Sequence, residues 1–192
     1  MTFKFIILAA AAPFALAACT AAETDNASSD AAAAEAGAAA PITAEEVAAA
    51  QEAWGQGIVA IGKVFTEQGD VKAAAEKHIA DFYNYGGGDT ILFKPTLTSE
   101  DQFRGTADEA LSYFIGTEGT EDKGFAIKPW TAVRWENEGT VTDGDSAMAM
   151  GNYYFTDTDG NETKVEYTFG YVRGDDGALK INLHHSSVPY SG

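Results

Sequence analysis

The sequence predicts an α+β domain: a curved antiparallel sheet wrapped by N-terminal helices into a cone. Three observations carry this. Two capping boxes, Thr43-Ala44-Glu45-Glu46 and Thr106-Ala107-Asp108-Glu109, open stretches whose apolar residues recur at helical spacing. Residues 130–188 then alternate apolar and polar side chains and are rich in aromatic and β-branched types. Turn signals, Thr158-Asp159-Gly160-Asn161 and Asp175-Asp176-Gly177, cut that region into pieces of strand length. Helices followed by an antiparallel run is the order of an α+β domain.

The elements follow in turn. The first capping box starts a helix that runs to about Gln68, with Val47, Trp54, Ile58, Ile61, Val64 and Phe65 near one stripe. Asp70 caps a second helix bearing Val71, Ala74, His78, Ile79, Phe82 and Tyr83, and Gly86-Gly87-Gly88 ends it. His78 reads as a packed residue of that helix rather than a ligand. A short strand, Ile91 to Phe93, is stopped by Pro95. The second capping box opens a short helix to about Ile115. Four strands close the domain: Trp130 to Asn137, Asp145 to Thr156, Thr163 to Arg173 and Leu179 to Val188.

The last strand holds two of the three histidines. Successive side chains of a strand point to opposite faces. Leu179, Ile181, Leu183, His185 and Ser187 therefore share a face that is apolar and turns polar at its end, as a strand does when it runs along a core and finishes in a pocket. Lys180, Asn182, His184 and Ser186 share the other, solvated face. His185 and Ser187 are the pocket candidates on this parity, and a bulge in the strand would exchange them with their neighbours.

With this strand, the segments Leu92-Phe93-Lys94-Pro95-Thr96-Leu97, Asp122-Lys123-Gly124-Phe125-Ala126-Ile127-Lys128-Pro129-Trp130, Met150-Gly151-Asn152-Tyr153-Tyr154-Phe155-Thr156 and Val165-Glu166-Tyr167-Thr168-Phe169-Gly170-Tyr171 resemble the iota class of carbonic anhydrases. The resemblance spans roughly residues 50–190. It implies a SnoaL-like, nuclear-transport-factor-2-like fold, similar to the association domain of calcium/calmodulin-dependent protein kinase II. That fold hosts enzymes, binders and assembly domains, so the fold alone decides no activity.

The N-terminus reads as a targeting segment, residues 1–18. Lys4 precedes an apolar run, Phe5 to Ala18, that is short for a membrane span. Leu16-Ala17-Ala18-Cys19 resembles a bacterial lipobox, which makes Cys19 the expected lipidation site. An ordinary secretory signal with an incidental cysteine is the plainer reading. Thr20 after the cysteine, by resemblance to that class of lipoproteins, favours the periplasmic side of the outer membrane. Residues 19–41 are Ala-rich, poor in large apolar side chains, and read as a flexible tether. Residues 42–192 remain as one domain with one core.

Composition excludes several functions. The chain has 29 acidic and 12 basic residues, a formal charge of −17, and no basic groove for nucleic acid or for an anionic membrane surface. Its one cysteine, Cys19, forbids an internal disulfide and leaves the domain without a thiol nucleophile. Phosphate-loop, dinucleotide-binding and H-E-x-x-H patterns are absent from the sequence.

Carbon dioxide hydration needs a water that loses a proton and donors that stabilise the new bicarbonate oxygens. A catalytic metal usually has three protein ligands and one open position. His184 and His185 face opposite ways in a strand, and His78 lies far off on a helix, so a three-histidine site is not expected. The abundant Asp and Glu leave a carboxylate site open but show no ligand spacing. The class includes members described with and without metal, and this sequence favours no cofactor. Without metal, His185 is the natural proton acceptor and Ser187 the group that orients water. From the residues alone, those two also read as a pair satisfying each other at a strand end. Thr96 likewise reads as a turn hydroxyl and Tyr113 as core packing. The resemblance implies that a Thr, a Tyr and a Ser with a nearby His surround bicarbonate. These match Thr96, Tyr113, and Ser187 with His185.

The expected function is reversible carbon dioxide hydration by a lipid-anchored exported enzyme. The alternative is a non-catalytic ligand-binding or oligomerisation module of the same fold. A homodimer is expected through the open sheet face, because Tyr153, Phe155, Tyr167, Phe169 and Tyr171 offer more aromatic surface than one face needs.

Overall fold

A computed structural model of the chain describes residues 40–87 and 91–192. The expected signal segment, Cys19 and the tether up to residue 39 lie outside the described residues, as do residues 88–90.

Three α-helices and five strands are described: α1 (Ala44–Thr66), α2 (Val71–Phe82), β1 (Leu92–Lys94), α3 (Ala107–Ile115), β2 (Ala132–Asp143), β3 (Ser146–Thr156), β4 (Glu162–Arg173) and β5 (Leu179–Ser187). Both capping boxes form. Thr43 Oγ1 accepts from the Glu46 amide while the Thr43 amide donates to Glu46 Oε2, and Thr106 and Glu109 repeat the exchange. Asp70 caps α2 by accepting from the Ala73 amide. Helix α2 stops at Phe82, before the glycines, because Tyr83 adopts extended backbone and bridges to Ile181. Phe65, expected on the buried stripe of α1, is exposed; Gln51, Gly55 and Gly62 take buried places instead.

The sheet order is β1-β5-β4-β3-β2, with β1 parallel to β5 and every other pair antiparallel. Strand β2 runs past Asn137 to Asp143, so it and β3 form a hairpin longer than expected. Two register shifts bend the sheet, in β2 between Asn137 and Gly139, and in β5, where Gly170 pairs with Leu183 and Tyr171 with Ile181, leaving Asn182 over. A bulge increases local twist and curvature. A glycine faces each one. A Cβ at Gly151 would collide with the β2 backbone, and one at Gly170 would lie 2.7 Å from Asn182 Oδ1 and 2.9 Å from Leu183 Cβ.

The curved sheet turns its concave face toward α1, α2 and α3. Trp54, Phe93, Phe114, Phe155, Phe169, Tyr171 and Ile181 are the large, fully buried members of that core. Tyr153, Phe155, Tyr167, Phe169 and Tyr171 are all buried there. This corrects the expectation that they form an open aromatic face: with period-2 alternation they all point to the concave side. The outer face carries instead a cross-strand row of Val141, Met148, Gly170, Leu183 and Leu92, one position from each of the five strands.

Candidate active site

The Asn182 bulge decides which end of β5 enters the core. An extra residue in one strand reverses the facing of everything beyond it. Ile181 is buried, and so are His184 and Ser186, at 3% and 4% exposure. His185 is exposed, and Ser187 is on its face. The structure thus corrects the placement of two expected site residues. His185 pairs in register with Thr168 on β4 and Lys94 on β1. Ser187 Oγ donates to Glu166 Oε2 on the outer face. The parity that placed them inside holds only for an unbulged strand. The signal for the bulge was Gly170, a glycine inside an otherwise well-formed strand.

Thr96 and Tyr113 both line the cavity, and Thr96 meets Ser186. Thr96 Oγ1 donates to Ser186 Oγ at 2.9 Å. Tyr113, on α3, is buried and stacks on Phe125 with ring centroids 5.6 Å apart. Burial pushes its hydroxyl pKa up, while the backbone N–H groups of Leu97 and Thr96, which it faces, pull against that. Tyr113 is therefore a neutral phenol at any ordinary pH. Burial likewise raises the pKa of Tyr153, against the opposing hydrogen bond from Ser186.

His184 sits behind these hydroxyls. Its ring stacks on Phe93 at 4.5 Å and meets the edge of Phe169 at 4.1 Å. Nδ1 lies 2.8 Å from the Tyr83 hydroxyl, and Nε2 lies 3.4 Å from the Tyr153 hydroxyl. Trp54 Nε1 donates to the Tyr83 oxygen at 3.1 Å. Tyr83 therefore directs its own proton at Nδ1, which assigns the hydrogen of the neutral ring to Nε2. Burial among apolar rings, with His185 and His78 adding repulsion, drives the His184 pKa well below its usual range. The ring is neutral at neutral pH.

A buried ion pair holds the segment that bears Thr96. Arg104 Nη2 donates to Asp122 Oδ1 at 2.6 Å, with both side chains 3% exposed. Ser112 on α3 donates to the other Asp122 oxygen, also at 2.6 Å. The Arg104 amide donates to the Phe93 carbonyl. This joins β1, the loop after it and α3, so Thr96 and Tyr113 are fixed relative to each other.

Thr96, Tyr113, His184 and Ser186 line one cavity of about 570 Å3, whose other walls include Trp54, Phe114, Phe125, Trp130 and Phe155. Among the described residues no group of three or more His, Cys, Asp or Glu side chains is placed to hold a metal ion. The arrangement offers hydroxyl donors at one pole and apolar walls around them.

The profile of the family described as metal-independent carbonic anhydrase matches residues 45–188. The chain belongs to that family. It is 45% identical over 154 residues to a metal-independent carbonic anhydrase of Nostoc sp., covering 78% of this chain and 75% of the relative. Among solved structures it is similar to the iota-carbonic anhydrase from a cyanobacterium complexed with bicarbonate, with a TM-score of 0.76, 43% identity, and coverage of 79% of this chain and 95% of the other. A putative calcium/calmodulin-dependent protein kinase II association domain from Xanthomonas campestris matches with a TM-score of 0.50 and 25% identity over 78% of this chain and 91% of that one. These findings bear out the expected iota-class resemblance, the SnoaL-like fold, the enzyme class and the expectation of no metal cofactor.

Proposed function

We propose that the cavity hydrates carbon dioxide reversibly at its polar pole, with Thr96, Tyr113 and Ser186 holding the water and the bicarbonate formed from it. The observation that carries this is one cavity, walled mostly by apolar side chains, that Thr96, Tyr113 and Ser186 all line, with Thr96 hydrogen-bonded to Ser186. Carbon dioxide is apolar and enters against the aromatic walls. Bicarbonate oxygens gain negative charge as the water attacks, and fixed hydroxyl donors stabilise that charge without reorganising. Ser186 accepts from Thr96 and donates to Tyr153. Tyr153, which also faces His184 Nε2–H, is left with its own phenol proton to point at the substrate. The attacking water passes its proton into the same hydroxyl chain, which exchanges it with solvent. His184 acts here by orienting Tyr153, since its depressed pKa makes it a poor resting place for a proton.

The test is stopped-flow hydration with purified protein before and after exhaustive chelation. Activity is expected to persist, and Ser186→Ala is expected to lower it about 100-fold or more. A wild-type protein with no rate above buffer would leave the non-catalytic module as the better reading.

We further propose that the enzyme is exported, processed before Cys19 and anchored there by lipid to the periplasmic side of the outer membrane, on the strength of the Leu16-Ala17-Ala18-Cys19 motif. Membrane fractionation of Cys19→Ala tests this, with release from the membrane or failure of cleavage expected. We propose a homodimer as well, now through the outer row of exposed Leu92, Val141 and Met148 flanked by Met150. Light scattering at micromolar concentration tests it, and a monomer would refute it.

A further inference from the structure

The cavity is much larger than the reactants of hydration require. Its volume is about 570 Å3, whereas a water molecule occupies about 30 Å3 in the liquid. Pockets of about 300–1,000 Å3 are the size that encloses drug-sized organic molecules. The surplus space is apolar: Phe125, Ile127, Trp130, Phe155 and Val165 line it, and Leu97 and Val188, both well exposed, stand on its lining as well.

Charge on the lining adds to this. Lys123 and Lys128 both line the cavity, in a chain with 29 acidic and 12 basic residues. Lys128 Nζ lies 4.3 Å over the Trp130 ring, which ties the cation to the apolar wall. Glu121 is the acidic side chain of the lining, and it is occupied elsewhere: it accepts from the amides of Ser99, Glu100 and Asp101 and from Ser99 Oγ. Lys123 Nζ is likewise occupied, donating to the Thr120 carbonyl, so an anion meets Lys128 on the wall, an apolar passage and a terminal cluster of hydroxyl groups.

We propose that this cavity also binds monocarboxylates with an apolar body, such as aryl or branched alkyl carboxylates, in competition with bicarbonate. This rests on the proposed bicarbonate position, because a carboxylate shares with bicarbonate the pair of anionic oxygens on one carbon. The carboxylate takes the pole formed by Thr96, Tyr113 and Ser186, and the body lies against Phe125, Trp130 and Phe155. Bicarbonate leaves these walls uncovered. A hydrocarbon body removes them from water, so affinity should grow with the apolar surface of the ligand.

The experiment is a series of acetate, propanoate, butanoate, 3-methylbutanoate and benzoate, read both as inhibition of hydration and by calorimetric binding to the wild-type protein. Binding is expected to tighten about fourfold per added methylene, and the inhibition to compete with bicarbonate. Val188→Ser and Ile127→Ala, which change no charge and lie apart from the hydroxyl cluster, should leave hydration unchanged and weaken benzoate more than acetate. A flat series in a protein that hydrates carbon dioxide overturns the inference and spares the hydration reading. A rising calorimetric series in a protein that does not hydrate it supports the binding of carboxylates and removes the hydration reading alone. Equal weakening of acetate and benzoate in both wall variants also overturns it, because the walls then contribute no contact with the ligand body.

Discussion

Gly170 on β4 stands directly across from Leu183 on β5, and Asn182, the residue before Leu183, has no partner on β4. That one unpaired residue turns His184 and Ser186 into the cavity and His185 and Ser187 out to solvent. The two pairs differ by a single position, and separate variants resolve them. Ser186→Ala is expected to depress hydration by about 100-fold or more, and Ser187→Ala to stay near wild type, since its hydroxyl donates to Glu166 on the outer face. Thr96→Val and Tyr113→Phe should fall with Ser186→Ala. Hydration rates of the four folded variants check this. Loss at Ser187 with none at Ser186 would mean that the bulge does not form in solution.

The glycine itself makes a second prediction. Gly170→Ala places a methyl group against Asn182 Oδ1 and Leu183 Cβ, each nearer than 3.0 Å. Real carbon atoms do not sit so close, so β5 must shift or straighten. Overpacking of this kind typically costs about 1–3 kcal/mol. Denaturant unfolding should show a loss in that range, and hydration should fall as well, since the shift reaches His184 and Ser186. Full activity with full stability would show that the bulge accommodates a side chain at position 170.

Much of this architecture was legible in the sequence, and the part that was not has a definite cause. Both capping boxes, the Asp70 cap, all five strands and the turns at Gly160 and Gly177 follow from local chemistry, which the surrounding fold leaves intact. Thr96 and Tyr113 line the cavity, and neither was chosen by counting along a strand: Thr96 lies in a quoted motif and both match groups that the resemblance implies. His185 and Ser187 were chosen by counting along a strand, and a count fails at a single inserted residue. Gly170 and Gly151 mark both bulges, but a strand glycine names neither the partner strand nor the residue left over. The aromatic residues of β3 and β4 were assigned to an outer face for a different reason. Their alternation shows that they share a face, and the large cavity explains why one concave face accommodates so many rings.

The two adjacent histidines should separate cleanly in kinetics. His185 is exposed on the outer face, so His185→Ala should change hydration little. His184→Phe removes the contact to Tyr83 and the orienting Nε2–H, and should lower the rate by about 10-fold or more, in line with the usual contribution of positioned proton-transfer groups. Because burial holds His184 neutral through the ordinary histidine range, wild-type hydration should show no step near pH 6.5 of the kind a titrating catalytic histidine produces. A pH–rate profile with an inflection there, abolished in His184→Phe, would reassign His184 as the proton acceptor.

Acid stability supplies the last prediction, and it turns on His78. This side chain is buried, and neither ring nitrogen has a hydrogen-bond partner among the described residues. Desolvation lowers its pKa to about 3, with Asp81 opposing weakly. His184 is shifted in the same direction by burial. The unfolded chain takes up a proton at each histidine as pH falls through about 6.5, while the folded chain does not until far lower pH. The unfolded state then binds more protons, so stability present above pH 6.5 is lost on acidification, for His78 down to about pH 3. Each neutral histidine contributes about 1.4 kcal/mol per pH unit to that slope. Glu121, held at a pKa of about 2 chiefly by the Ser99 amide, adds a loss in the same direction below about pH 4.5. His78→Leu removes one of the two histidine contributions and the buried unpaired nitrogens with it. Between pH 6 and pH 5 its unfolding free energy should fall less steeply than that of wild type, by about 1.4 kcal/mol per unit, and the variant should be the more stable protein at pH 5. Parallel curves for the two proteins across that interval would show that His78 is protonated in the folded state, which its surroundings of Trp54, Phe82 and Phe114 argue against.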